Sequence, residues 1–225
     1  MKRFTPCLLS WLAMSVLLTA PAARAVELYQ AGRHYIELPS PQPTETGDKI
    51  EVREFFWYGC PHCYVLEPPL AAYVKKLPAN TAFVRTPGVA PSWLVQAQAF
   101  YTFEVLGVTE KLHAAFFDAW HGKGRRLTDE ASIAAFAAEH GVDQAKFRQA
   151  FNSFAVRTRV ERAKQQNIRF MVDSVPMLAV DGRYLTSPVM AGGQERNEAK
   201  RGQMTMEVVD FLVKKAAAER KKARK

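Results

Sequence analysis

Cysteine is scarce in this chain. Three occur in 225 residues, and one of them, Cys7, lies in an N-terminal stretch with the marks of an export signal. That scarcity excludes a disulfide-stapled scaffold, which needs several pairs. It also excludes a structural zinc site, because two thiols with no second CxxC and no His-x3-5-His tract do not supply four ligands. Long apolar runs are missing too: the run from Cys7 to Ala20 is about 14 residues, short of the roughly 20 that a spanning helix needs. There is no internal repeat, no low-complexity segment and no metal-ligand tract. The basic tail, Lys214-Lys215 and Arg220 to Lys225, has no interleaved aromatics. It reads as the solvated, cation-rich end of a helix, and contact with nucleic acid is not expected.

What is present at the N-terminus is Lys2-Arg3, the apolar run, Pro21 and the small-x-small pattern Ala23-Arg24-Ala25. This is the pattern of a secretory signal peptide cleaved after Ala25, so 1–25 is expected to be absent from the mature protein. Cleavage removes Lys2, Arg3 and Arg24 and no acid, lowering the formal net charge from +9 to +6. It also removes Cys7, leaving Cys60 and Cys63 with no other thiol to pair with. A two-residue loop constrains an unfolded chain very little, so a bond between them serves exchange and not stability.

The chain is organised around Phe55-Phe56-Trp57-Tyr58-Gly59-Cys60-Pro61-His62-Cys63-Tyr64. Ile50 to Tyr58 mixes β-branched and aromatic residues and predicts a strand; Pro61 has the fixed φ of a first helical turn. Cys60 therefore falls at a helix mouth, where unpaired N–H groups and the positive end of the dipole favour thiolate over thiol. His62 adds a donor or a positive charge. Cys63, one turn in, is expected to be the more buried and less reactive sulfur. Whatever stabilises the Cys60 thiolate stabilises only the reduced protein, so each pKa unit removed is worth about 1.4 kcal/mol, or roughly 30 mV of oxidising power above both pKa values.

The rest of the chain suggests two kinds of architecture. His34 to Leu38 is a short strand candidate, followed by a proline-rich turn. The helix after Cys60 is expected to reach about Lys76, kinked near Tyr64 to Leu66 by Pro68-Pro69, before a second core strand, Thr81 to Thr86. From Pro91 to Arg169 helix follows helix. Ser92 is a candidate cap for one burying Leu94, Ala97, Phe100, Tyr101 and Val105. Thr109 opens one with Leu112, Phe116, Phe117 and Trp120 inward, Thr128 or Asp129 caps one closed by Gly141, Asp143 starts a short one, and Phe154 to Asn167 carries a solvated basic face. Strand character returns at Met177 to Val180, and Asp181-Gly182 predicts a hairpin back through Arg183 to Thr186. A last helix, Gln203 to Arg220, is expected to dock Met204, Val208, Phe211 and Leu212 on the sheet.

For the Cys60-Cys63 pair, haem attachment would need histidine where Tyr64 stands, and a cysteine protease would have its nucleophile quenched by the second thiol. Thiol-disulfide exchange needs what is there: a low-pKa thiol, a resolving thiol one turn away and an oxidising compartment. Far along the chain, Ser174-Val175-Pro176 precedes the returning strand. A proline at a strand's first residue is acceptable in either isomer, so this is a strand boundary or, read with the CxxC, a cis-proline loop whose Val175 backbone binds an extended peptide by strand addition.

With Phe55-Phe56 before Cys60-Pro61-His62-Cys63-Tyr64, a helical stretch between two halves of a strand pattern, and Val175-Pro176 near the C-terminus, the mature chain resembles the DsbA family of bacterial periplasmic thiol:disulfide oxidoreductases. The resemblance implies an α/β thioredoxin-like fold, a central mixed sheet flanked by helices, split into 26–90 and 170–225 by an all-helical insertion at 91–169. It implies a monomeric oxidase that gives its disulfide to reduced, unfolded secreted proteins and is reoxidised by a quinone-linked, DsbB-like partner in the inner membrane, with no cofactor and no metal of its own. Cys60 would be the nucleophile, Cys63 the resolving thiol, His62 (after Pro61) the thiolate's stabiliser, and Val175 with Pro176 the cis loop. Glu54, in alternation with Val52 and Phe56, would be the buried acid beneath the active site, the bland alternative being a solvent-facing strand glutamate; Glu67 is a weaker candidate. A reductase or isomerase, or a chaperone-like peptide-binding module, are the competing functions. An isomerase of this type carries an N-terminal dimerisation domain, for which Val26 to Asp48 is too short.

Overall fold

The computed structural model describes residues 28–223, so the expected export signal at 1–25, with Cys7, lies outside the described residues. In chain order the elements are β1 (Ile36–Glu37), β2 (Ile50–Phe56), α1 (Pro61–Val74), β3 (Thr81–Pro87), α2 (Leu94–Val105), α3 (Thr109–Phe117), α4 (Glu130–Glu139), α5 (Gln144–Phe151), α6 (Phe154–Arg169), β4 (Met177–Val180), β5 (Tyr184–Thr186), α7 (Pro188–Gly192) and α8 (Glu198–Ala223). The sheet order is β1-β5-β4-β2-β3. β2 runs parallel to β3 through the α1 crossover and antiparallel to β4, which makes the sheet mixed and β2 its centre. The whole helical run α2 to α6 sits between β3 and β4, as an insertion in a thioredoxin-like frame.

A central strand is covered on both faces, and every residue of β2 is buried. Side chains alternate along it. Ile50 and Val52 join a core with Leu66 and Leu70 of α1 and Val208, Val209 and Leu212 of α8. Phe56, on the same face, belongs instead to the core built with Phe100, Phe116, Phe117 and Phe136 of the insertion. Glu54 lies between them, at the seam of the two cores. On the opposite face Arg53 is satisfied by Glu51 at 2.9 Å, Thr86 at 2.6 Å and Glu45 at 3.1 Å, because a buried charge is tolerated only when paired and hydrogen-bonded.

Several local expectations need correction. β2 ends at Phe56, two residues before Tyr58, where Gly59 and Cys60 turn the chain into α1. α1 carries Pro68 and Pro69 inside it as expected, but ends at Val74, two residues short of Lys76. Ser92 is not a cap: a short 3-10 turn, Pro91–Trp93, leads directly into α2. Leu94 and Val105 are exposed ends of α2 and not core, at 41% and 39%. β1 covers only two residues of the predicted His34 to Leu38. α8 begins at Glu198, five residues early, and its deepest positions are Gly202, Thr205, Met206, Val208, Val209, Leu212, Val213 and Ala216; Val208 and Leu212 dock as expected, Phe211 packs half-buried against the same core, and Met204 is half-buried. The hairpin is as expected: Asp181 and Gly182 both have positive φ, and a Cβ on Gly182 would lie 2.1 Å from the Gln42 carbonyl oxygen, so only glycine fits.

Candidate active site

Three segments converge at the C-terminal end of β2. The first is the turn itself. Cys60 occupies the N-cap of α1 in extended conformation, with Pro61 at N1 and no side-chain cap. The helix's free N–H groups are thus left for the sulfur, and those of His62 and Cys63 both favour its anion. Gly59 is required here because a Cβ would lie 2.3 Å from the Trp57 ring, which stacks on Trp93 at 4.6 Å.

The second segment is the loop before β4. β4 pairs with β2 so that Met177 faces Phe55, which carries residues 175 and 176 to the same end of the sheet as Cys60. The Val175–Pro176 bond is cis. The Cys60 thiol donates to the Val175 carbonyl at 3.4 Å, across 115 positions of sequence. The third segment is a π-type turn after α3, Asp118–Gly122. Its His121 ring bonds the Tyr58 carbonyl at 2.8 Å and stacks on Tyr64 at 4.9 Å, while Tyr64 donates to Asp118 at 3.0 Å.

The two sulfurs, both free thiols, are chemically unlike. Cys60 keeps 6% exposure and Cys63 none. The Cys63 thiol bonds to the Cys60 sulfur; with the two backbone N–H groups and the His62 charge, this outweighs burial and draws the Cys60 pKa down to about 6. Burial, and the hydrogen bond it gives to Cys60, push Cys63 well above the ordinary thiol range. His62 is largely exposed, with Nδ1 3.1 Å from Glu198 of α8.

Beneath the sulfurs, Glu54 is fully buried. Its cross-strand partner is Arg85, which donates to Glu54 at 2.9 Å and to Glu67 at 2.8 Å. Burial, with a contribution from Glu67, raises the Glu54 pKa to about 8 in spite of Arg85. Burial also works against the Glu67 carboxylate, but His113 and Arg85 overcome it and leave its pKa below the ordinary range. Ligand atoms of Glu54, Glu67 and His113 lie within 4.8 Å of one another, yet Arg85 bonds both carboxylates and already supplies the positive charge a metal ion would bring.

A groove of about 490 Å³ opens beside Cys60, lined among others by His62, Val175, Pro176, Met190 and Glu198. Val189 and Met171 at its rim are 68% and 50% exposed. The geometry thus brings together Cys60, Pro61, His62, Cys63, Val175 and Pro176, with Glu54 below. Sequence reasoning missed Arg85, His113, Trp93 and His121. For Arg85 the signal was available, as a lone charge in the middle of a core strand.

The DSBA-like thioredoxin domain matches residues 87–203. The thiol:disulfide interchange protein DsbA of Pseudomonas aeruginosa PAO1 is 40% identical over 216 residues, 96% of this chain and 98% of that protein. The chain belongs to the DsbA family. The DsbA of Azotobacter vinelandii is likewise 40% identical, over 81% of this chain and 82% of its own length. Among solved structures, P. aeruginosa DsbA superposes with a TM-score of 0.79 at 40% identity, covering 86% of this chain and 97% of that one. The Xylella fastidiosa DsbA does so with a TM-score of 0.76 at 30% identity, over 85% and 99%. Membership in the DsbA family makes the protein a thiol:disulfide oxidoreductase of thioredoxin-like fold.

Proposed function

We propose that this DsbA-family protein is a periplasmic oxidase, exported by its cleaved N-terminal signal, that passes the Cys60–Cys63 disulfide to newly secreted, reduced chains. The observation that carries the reading is the contrast between the two sulfurs: a Cys60 thiol with a pKa near 6 and a buried Cys63 far above it. In the first step a substrate thiolate attacks Cys60, the sulfur with access to solvent. The Cys60–Cys63 bond breaks, a Cys60–substrate disulfide forms, and Cys63 leaves as an anion in a buried site that cannot keep it. Glu54, protonated at neutral pH, gives Cys63 its proton and recovers one from solvent. A second substrate thiolate then attacks the substrate sulfur and releases Cys60 as its stabilised thiolate, so the substrate loses two electrons and the enzyme gains them.

His62 contributes to the comfort of that thiolate, and Pro61 starts the helix whose N–H groups hold it. Val175 offers a carbonyl beside Cys60 and, with cis Pro176, an edge on which an extended peptide adds as a strand, its apolar side chains over Val189 and Met171. Backbone recognition of this kind suits a monomeric enzyme that must accept many unfolded clients. Reoxidation falls to a quinone-linked, DsbB-like inner-membrane partner, docking where the substrates do. Cys60→Ala tests the reading: the variant is expected to fold and to lose all support for oxidative folding of a reduced secreted protein. Retained support would overturn it in favour of a peptide-binding module with an incidental disulfide.

A further inference from the structure

His113, on the inner face of α3, is buried among the rings of Phe56, Phe100 and Phe117. Nothing in the proposed exchange uses it, yet both of its nitrogens face polar atoms. Nδ1 lies 2.9 Å from the Tyr58 hydroxyl, and Nε2 lies 3.4 Å from Glu67 Oε2. Both Nε2 and Oε2 are buried with no hydrogen-bond partner, so closing this 3.4 Å approach is what would satisfy the two of them. The chain of contacts runs Tyr58, His113, Glu67, Arg85, Glu54, and it ends on Glu54 Oε1, buried with no hydrogen-bond partner.

The charges decide who holds protons. One guanidinium is buried with two carboxyl groups, and a second carboxylate there would be an uncompensated buried charge. The cluster is therefore neutral with one proton shared between Glu54 and Glu67. We propose that His113 is a positioning residue that places this proton on Glu54: its Nε2–H donates to Glu67 Oε2, and the Tyr58 hydroxyl, donating to Nδ1, fixes that tautomer. The groups facing His113 are Tyr58 from the active-site turn, Glu67 from α1, Arg85 from β3 and Glu110 from its own helix. Burial lowers the His113 pKa, so the ring is neutral and has one N–H to give. Burial likewise holds Tyr58 well above its ordinary range, so the phenol keeps its proton. Glu67 is thereby kept as the anion and Glu54 as the acid, the form that Cys63 needs when it leaves.

The inference rests on the reading of Glu54 as proton donor and is tested separately from it. In His113→Leu, loss of a charge-assisted hydrogen bond moves the proton partition toward Glu67 by roughly tenfold to a hundredfold. The alkaline limb of the disulfide-donation rate, set by protonated Glu54, should move to lower pH by about one to two units. His113→Gln, whose amide can donate to Glu67 and accept from Tyr58, should retain the limb of the parent. Tyr58→Phe, which frees the tautomer, should move it part of the way, and serves where His113→Leu does not fold. The carboxyl 13C resonances of Glu54 and Glu67 give the direct readout, since removing either acid would leave Arg85 with one carboxylate and no proton to follow: at neutral pH the protonated shift should belong to Glu54 in the parent and move toward Glu67 in His113→Leu. A protonated shift that stays with Glu54 in both proteins, with an unmoved rate limb, overturns the role of His113. A rate limb unchanged in Glu54→Gln alone overturns the proton-donor reading and leaves the resonance test of His113 standing.

Discussion

Replacing His62 with serine should raise the Cys60 pKa by about one unit and make the disulfide less oxidising by about 30 mV at alkaline pH. The structure ranks what holds the thiolate: the Cys63 S–H bond first, then the backbone N–H groups of Cys63 and His62, which serine keeps, and last the His62 charge. That charge sits on a side chain that is 61% exposed and faces Glu198 at 3.1 Å, so solvent and a counter-ion both screen it. The whole depression, from 9.0 to about 6, corresponds to a thousandfold gain in acidity, about 4 kcal/mol or about 90 mV. The sign follows from linkage: a depressed acid pKa stabilises the reduced state above it, so the advantage is absent below pH 6 and complete only above pH 9. At pH 7 roughly a tenfold share is expressed, about 1.4 kcal/mol. Thiolate ultraviolet absorbance followed against pH, in the parent and in His62→Ser, measures the change. An unmoved titration, or one that returns all the way to an ordinary thiol, would refute this ranking of the contacts.

Glu54→Gln should slow disulfide donation most at neutral pH, seen in stopped-flow reaction with a thiol peptide, while leaving the Cys60 titration near its parent value. The same variant should be more stable than the parent at pH 8, by on the order of a few kcal/mol in chemical denaturation. A carboxyl raised from 4.5 to about 8 makes the folded state bind more protons than the unfolded one across that window, so stability falls as pH rises through it. Gly59→Ala should cost about 1–3 kcal/mol, because its Cβ would drive into the Trp57 ring and unseat the turn that holds Cys60; an unchanged denaturant midpoint would contradict this. Val189→Asp, at the exposed rim of the groove, should weaken transfer to peptide clients severalfold without moving the potential measured with glutathione.

Much of this was legible in the sequence because it is local. Cys60 at a helix mouth follows from a strand, a glycine and Pro61 in succession. The hairpin follows from Asp181-Gly182, and the insertion's inward aromatics from helical spacing. What escaped was set by tertiary context. Leu94 and Val105 read as core by period but lie at the ends of a helix with nothing above them. Glu54 was recognised only through family resemblance, since a strand glutamate is by itself ambiguous. Its burial and its raised pKa come from its place at the seam of two cores, and Arg85, Glu67 and His113 reach it from three different elements.

The central claim is that electrons flow into this protein because the Cys60 anion is at ease where it sits. The most direct test is the equilibrium of the parent protein with reduced and oxidised glutathione. The account predicts that Cys60 and Cys63 stay reduced in mixtures oxidising enough to close the disulfide of a thioredoxin-like reductase. A potential as low as that reductase's would contradict it.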